Sequence, residues 1–383
     1  MSRFALTGAR IFDGASIVSD AAVVIEDGRI AAVAPSRALA PSDRRVDLEG
    51  GLLAPGFIDA QVNGGGGTLF NDQPTPEGAR KIAQAHRRHG TTGLLPTVIT
   101  DSANILRSAV EAITVARRER SPGILGIHIE GPFIDPKRRG AHDEKFIRRI
   151  AAHDIEWLSA LDCGTVLITV APSTTPPASI AALVHAGLIV SLGHSEAAAD
   201  ETAGALRAGA SGFTHLYNAM SQLAGREPGM VGVALADRDS CCGIIADGHH
   251  VDALALKVAL AAKPRGKIFL VTDAMPSAAG GAPHFRLQGR PVQLRGGRLE
   301  LTDGTLAGSH LTMDEAVRFC CRDLGLSLEE ALRMASLYPA AFLKLDHAYG
   351  RIAQGYLADL VHLDDNLTVR ATWIEGQSSS EEP

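Results

Sequence analysis

The sequence predicts an α/β protein: a (β/α)8 TIM barrel with a small β-sandwich domain formed from both chain termini. Three observations predict it. Short apolar runs alternate with longer stretches of helical periodicity through the middle of the chain, the pattern of parallel strands joined by crossover helices. Strand-like runs occupy both ends. Polar residues with ligating or acid–base chemistry stand just past several central runs, where a parallel barrel gathers them at one mouth.

Residues 1–54 read as the first part of the small domain, with runs Phe4-Ala5-Leu6, Ala22-Val23-Val24-Ile25 and Ile30-Ala31-Ala32-Val33. Asp27-Gly28 between the last two is a hairpin signal, because glycine accepts the positive φ of a tight turn. So short a segment is too small for a stable sandwich. Matching runs return at Asp359-Leu360-Val361-His362-Leu363 and Ala371-Thr372-Trp373-Ile374, so residues 348–377 are expected to complete it.

Residues 55–347 are expected to form the barrel. Its candidate strands are Phe57-Ile58-Asp59-Ala60, Gly93-Leu94-Leu95, Leu125-Gly126-Ile127-His128, Val166-Leu167-Ile168-Thr169, Ile189-Val190-Ser191, Gly212-Phe213-Thr214, Gly243-Ile244-Ile245 and Ile268-Phe269-Leu270. After the eighth, residues 285–301 read as a β-hairpin insert, and helices follow over Met313 to Leu324 and Leu328 to Ser336. A doubly wound open sheet is the alternative, but Gly64-Gly65-Gly66-Gly67 lacks the GxGxxG register and a P-loop lysine. Residues 378–383, rich in serine and glutamate, read as a disordered tail.

Composition narrows the function. Hydrophobic residues at 45% and charged residues at 21% of 383 describe an ordinary globular protein. A net charge of −6 with a pI near 6.2 disfavours a nucleic-acid surface, so an anionic substrate must be held by a local basic cluster. The chain opens Met1-Ser2-Arg3-Phe4 with no signal-peptide pattern, and no segment has membrane-spanning length, so a cytoplasmic protein is expected. The cysteines, Cys163 and the pairs Cys241-Cys242 and Cys320-Cys321, fit neither a disulfide framework nor metal knuckles.

Four residues carry the chemistry. Glu130, His194, His215 and Asp273 follow the third, fifth, sixth and eighth runs. Three protein ligands plus water is the usual catalytic zinc arrangement, and Glu130, His194 and His215 supply suitable atoms. Asp273 then suits proton transfer. A fourth metal ligand and the cap of a following helix are its other readings. His128, two residues before Glu130, shares its strand face and suits a hydrogen-bonding role behind the ligands. His142 stands on the loop after the third strand, where an imidazole can donate to a substrate oxygen; a surface histidine is the alternative. Arg226 and His250 are the candidates for an anionic group, Arg because its planar fork matches two phosphate oxygens.

The motifs then identify a resemblance. Pro55-Gly56-Phe57-Ile58-Asp59-Ala60-Gln61-Val62-Asn63-Gly64, His128-Ile129-Glu130-Gly131-Pro132-Phe133, Gly140-Ala141-His142, Ser191-Leu192-Gly193-His194-Ser195, Thr214-His215-Leu216-Tyr217-Asn218-Ala219-Met220, Gly225-Arg226-Glu227-Pro228-Gly229, Ile245-Ala246-Asp247-Gly248, Thr272-Asp273-Ala274 and Leu306-Ala307-Gly308-Ser309 run in order across the barrel. With them the chain resembles the N-acetylglucosamine-6-phosphate deacetylases of the amidohydrolase superfamily. The resemblance implies that Glu130, His194 and His215 bind one divalent metal per subunit, zinc in preference to iron, manganese or cobalt. It implies that Asp273 is the acid/base and that His142 polarises the acetamide carbonyl. Ala141, Asn218, Ala219, Arg226, His250, Leu306, Ala307 and Gly308 would contact the sugar phosphate.

Family members share phosphate-binding residues between subunits, so a homodimer or dimer of dimers is expected, with Arg226 and His250 acting across the interface. Many amidohydrolases place His-x-His after the first strand to hold a second metal, whereas this chain has Gln61-Val62-Asn63. One metal is expected, with Gln61 the residue for any weak second site. The expected reaction converts N-acetylglucosamine 6-phosphate to glucosamine 6-phosphate and acetate in amino-sugar recycling. Competing expectations are hydrolysis of another N-acyl or cyclic amide, and an inactive barrel used for binding.

Overall fold

The computed structural model describes residues 3–39 and 44–379. Eight parallel strands form one sheet: β1 (Phe57–Val62), β2 (Thr91–Ile99), β3 (Gly126–Glu130), β4 (Thr165–Val170), β5 (Ile189–Leu192), β6 (Gly212–Phe213), β7 (Cys241–Ile244) and β8 (Ile268–Leu270). Each pairs in parallel with its neighbour in the sequence, so the order around the sheet is the order along the chain. A bridge between Val62 and Ala274 brings the first and last strands together at the C-terminal rim. Deeper in this seam a side chain replaces the missing ladder. The Asp59 carboxylate accepts from the Thr272 amide at 3.2 Å and from its hydroxyl at 2.5 Å.

Helices α1 (Pro76–Arg87), α2 (Ala103–Arg118), α3 (Ala152–Ser159), α4 (Pro177–His185), α5 (Ala199–Arg207), α6 (Gly229–Ala236), α7 (Ala253–Ala262) and α8 (Met313–Arg322) follow the eight strands in turn. Local chemistry starts several of them: Thr75, Ser102, Asp252 and Ser327 accept a backbone N–H from the first turn of α1, α2, α7 and of α9 (Leu328–Ala335). α2 turns Leu106, Ala109, Val110, Ile113 and Ala116 inward at helical spacing. Every residue of β1, β2 and β3 is buried, as expected of strands with the barrel interior on one face and helices on the other.

The small domain has two sheets. One orders Arg29–Pro35, Ala21–Glu26, Arg3–Thr7 and Arg44–Asp47. The other orders Gln377–Ser378, Val369–Ile374, Leu360–Leu363, Leu52–Pro55, Arg10–Phe12 and Ile17–Val18, so strands from both ends of the chain lie side by side. Leu6, Ile11, Val23, Ile25 and Ile30 pack with Leu53, Leu360 and Trp373 in one core. The Asp27-Gly28 turn closes its hairpin with φ of 49° and 79°, the left-handed pair that a two-residue turn demands.

Two expectations require correction. The insert after β8 is a three-stranded antiparallel meander, His284–Leu287, Arg290–Arg295 and Arg298–Leu301, and not a single hairpin. Gly296 and Gly297, both at positive φ, supply the second turn. The carboxyl end is ordered further than composition implied. Ser378 pairs with Trp373, and the Ser379 hydroxyl accepts from the Thr372 amide; residues 380–383 lie outside the described residues. Among the described residues no helix is long and apolar enough to cross a membrane.

Candidate active site

At the mouth of the barrel the chain turns sharply just after β5, β6 and β8. His194, His215 and Asp273 sit there at φ of 46°, 34° and 52°, left-handed values that cost non-glycine residues roughly 1–3 kcal/mol each. Tertiary hydrogen bonds hold these turns in place: the His194 carbonyl accepts from Asp135, and the Asp273 amide donates to the Gln61 carbonyl. The turns aim three side chains at one point. His215 Nε2 lies 3.1 Å from Glu130 Oε1, His194 Nε2 lies 3.4 Å from the same oxygen, and the two nitrogens are 3.0 Å apart.

This donor set fits a metal. Ligand atoms about 2.0–2.1 Å from a tetrahedral zinc stand roughly 3.3 Å from one another, close to the three spacings seen. The His194 tautomer agrees with it. His194 Nδ1 is 2.9 Å from the Arg138 carbonyl, so it carries the hydrogen and leaves the Nε2 lone pair directed at the cluster. Glu130, His194 and His215 are all buried, and together form the one group of such residues with ligand geometry among the described residues. Burial works to raise the Glu130 carboxyl, yet the two imidazoles hold it well below the ordinary range. His215 shifts the other way: burial opposes its charge, and Glu130 outweighs burial.

Asp273 stands beside the cluster. Burial first, and then the charge of Glu130, raise its carboxyl from 3.8 to about 6. Its Oδ1 accepts from Asn63 Nδ2 at 2.6 Å and from Gln61 Nε2 at 3.1 Å, and the same Gln61 nitrogen donates to Glu130 Oε1 at 3.1 Å. Gln61 therefore links the two carboxylates as a donor. The helix-cap reading of Asp273 is wrong: turns follow it, and the next helix, α8, begins at Met313.

His128 lies beneath the ligands, with Nδ1 3.2 Å from Thr97 Oγ1 and Nε2 2.8 Å from Thr169 Oγ1. Burial pushes it down to about 4. His142 is buried and not a surface residue. Its Nδ1 is 2.7 Å from Thr100 Oγ1, its ring centroid is 4.5 Å from that of His194, and burial, followed by the charge of His194, pushes it down to about 3. Both imidazoles are neutral at physiological pH.

A cavity of about 410 Å³ opens above the cluster. Ala141, His142, Asn218, Ala219, His250, Leu306, Ala307 and Gly308 line it, together with Glu130, His194, His215 and Asp273. His250 reaches the cavity of its own chain and is held by Asp247, whose carboxylate lies 2.6 Å from Nδ1. Arg226 does not line the cavity; it sits in the exposed stretch 222–228. Sequence reasoning missed Lys137, Arg138, Thr305 and Asn63, which also line it. Asn63 had a legible signal, since it stands two residues from Gln61 in an extended run and so faces the same way.

The Amidohydrolase family model matches residues 52–378, and the NagA composite domain matches residues 3–53. An N-acetylgalactosamine-6-phosphate deacetylase of Shewanella sp. (strain ANA-3) is 43% identical over 97% of this chain and 94% of its own length. The crystal structure of N-acetylglucosamine-6-phosphate deacetylase from Pasteurella multocida superposes with a TM-score of 0.96 at 34% identity, covering 99% of this chain and 100% of that one. A Mycobacterium smegmatis N-acetyl-D-glucosamine-6-phosphate deacetylase variant in complex with N-acetyl-D-glucosamine-6-phosphate gives 0.89 at 30% identity, covering 99% of each chain. Ligand geometry, barrel topology and near full-length similarity converge: the chain belongs to the amidohydrolase family, among the N-acetylglucosamine- and N-acetylgalactosamine-6-phosphate deacetylases.

Proposed function

We propose that the protein hydrolyses the acetamide of N-acetylglucosamine 6-phosphate, releasing acetate and glucosamine 6-phosphate for amino-sugar catabolism. The observation that carries this reading is the buried Glu130, His194 and His215 cluster with Asp273 beside it at the floor of the cavity. Glu130, His194 and His215 would hold a divalent metal, which would supply a Lewis acid for the carbonyl and would lower the pKa of a water to about 7. Zinc suits the donors best, with iron, manganese or cobalt as substitutes. One metal per subunit is favoured, because Gln61 is committed as a donor to both carboxylates.

Asp273, titrating near 6, is largely ionised at neutral pH and accepts the proton of the attacking water. Asn63 and Gln61 occupy its Oδ1, which leaves Oδ2 to carry that proton to the departing nitrogen. His142 Nδ1 lies 2.7 Å from the Thr100 hydroxyl, and in the tautomer in which that hydroxyl donates to Nδ1 the neutral ring carries its hydrogen on Nε2, where it stabilises the developing oxyanion. The residues lining the upper cavity hold the sugar. His250 contributes to phosphate binding from within its own chain. Arg226, exposed and outside the cavity, binds phosphate in a neighbouring subunit of a homodimer or dimer of dimers.

Residues 1–54 and 348–377 are best treated as one small domain around the 55–347 barrel, and the enzyme as cytoplasmic. A second substrate reading has a specific basis: the 43% identical relative is named for the galacto epimer, the glucosamine-named structures being 30–34% identical. Acetate release from the two phosphorylated sugars and from unphosphorylated N-acetylglucosamine, before and after chelation, tests both readings. Metal-dependent turnover of the phosphorylated gluco epimer supports the first. Turnover of the galacto epimer alone replaces it with the second, and none with either epimer removes both.

A further inference from the structure

We propose that Gln288 and Arg290, at the first turn of the inserted meander, are positioning residues for His142. The proposal rests on the reading of His142 as the group that stabilises the oxyanion. Gln288 and Gly289, at φ of 50° and 82°, form the turn between the first two strands of the meander. From it Gln288 Nε2 donates to the Thr100 carbonyl at 2.8 Å and to Asp101 Oδ2 at 3.0 Å. Thr100 is the residue whose hydroxyl contacts His142 Nδ1. The Arg290 guanidinium reaches the residue just before His142, donating to the carbonyl of Ala141 and, at 3.4 Å, to Gln288 Oε1. Ala141, His142, Thr100, Gln288 and Arg290 thus form a closed circuit joining the meander to both supports of His142.

Arg290 is unusual in its company. Among the described residues no carboxylate stands within ion-pair distance of it, although Asp143 and Asp303 lie within range of its charge, and its Nε is buried without a protein partner. Its hydrogen bonds go to neutral oxygens alone, the Ala141 carbonyl and Gln288 Oε1, so the contacts it makes are with the loop before His142 and with its own turn. The meander has its own apolar attachment through Leu287, Val292, Leu299 and Leu301 against Leu69, Ile99 and Met275. What Arg290 adds is a fixed position for the loop before His142. That same loop presents the Arg138 carbonyl to His194 Nδ1, so its placement bears on a metal-facing ring as well.

The test is a double-mutant cycle on the zinc-loaded full-length protein with the phosphorylated substrate it turns over. Arg290→Met is expected to lower kcat about 10- to 30-fold while KM changes less than about threefold, because a mispositioned imidazole is lost mainly in the transition state. Arg290→Lys is expected to fall between. In a His142→Asn background the Arg290→Met loss should shrink to under about threefold, since both changes remove one interaction.

An equal loss in both backgrounds overturns the proposal, as does a raised KM with kcat unchanged, which would make Arg290 a binding residue. If His142→Asn retains wild-type kcat, the reading of His142 fails and the proposal falls with it, a pattern distinct from an equal loss. Thermal melts accompany each variant. Should Arg290→Met not fold, Arg290→Lys and Gln288→Leu complete the same cycle.

Discussion

Two buried carboxylates, one in each part of the molecule, titrate well above their ordinary range for the same first reason and do different things. Asp273 at the barrel mouth is raised to about 6, and Asp359 in the small domain to about 7, burial being the largest cause in both. Their surroundings differ. Asp273 has Glu130 and His215 close by, side-chain donors from Gln61 and Asn63 on one oxygen, a left-handed backbone and a cavity in front. Asp359 accepts the Glu375 amide at 2.8 Å inside the sandwich and lines none of the described cavities. A raised pKa therefore marks a dry environment, and the neighbouring groups decide whether the carboxyl is placed to serve in catalysis.

The comparison can be broken most directly at the metal. Chelation should abolish acetate release, and zinc should restore it; undiminished turnover after verified metal removal would leave Asp273 with no more chemistry than Asp359. Next in size is Asp273→Asn, which should lower kcat about 10²- to 10⁴-fold with metal content unchanged. Near-normal kcat in that variant would remove Asp273 from the reaction.

Arg226→Ala should lower kcat/KM on the phosphorylated sugar roughly ten- to over a hundred-fold, the loss of charge-assisted bonds of about 1.5–3 kcal/mol. The unphosphorylated sugar should be unaffected. Equal effects on both sugars would show that Arg226 does not read the phosphate.

The smallest effect on activity, none, belongs to Asp359→Asn, and there the signature is stability. The folded-state pKa is raised from 3.8 to about 7, so between those values the folded protein holds a proton that the unfolded chain has lost. Stability therefore declines as pH rises through that window and levels off above it. Removing the carboxyl should leave stability near pH 4 almost unchanged and raise it near pH 8 by about 2–4 kcal/mol relative to wild type, measured by urea unfolding. A pH-independent difference would show that folding does not raise the pKa of Asp359.

The barrel was legible because each strand is a short apolar run and each crossover helix carries its own period and, in several cases, its own cap. Those are local signals. The four chemical residues were legible because strand ends converge in this architecture, so Glu130, His194, His215 and Asp273 were neighbours as soon as the strands were counted. The meander was read as a hairpin because its first strand, His284–Leu287, has only Leu287 fully buried and lacks a strong alternation. Ser378 and Ser379 were read as tail because serine is a poor strand former, and their order comes from pairing with Trp373 and Thr372.

The sequence by itself determined the fold class, the ligand types and their order along the chain, since hydrophobic period and residue chemistry are properties of short segments. Tertiary structure alone decided which donors hold which carboxylate oxygen. Asn63 meets Asp273 across 210 positions, Gln288 meets Thr100 across 188, and Arg290 meets Ala141 across 149. Such contacts depend on barrel closure and on the path of an inserted loop. A hydrogen bond tolerates errors of only a few tenths of an ångström, and no spacing along the chain specifies position that finely.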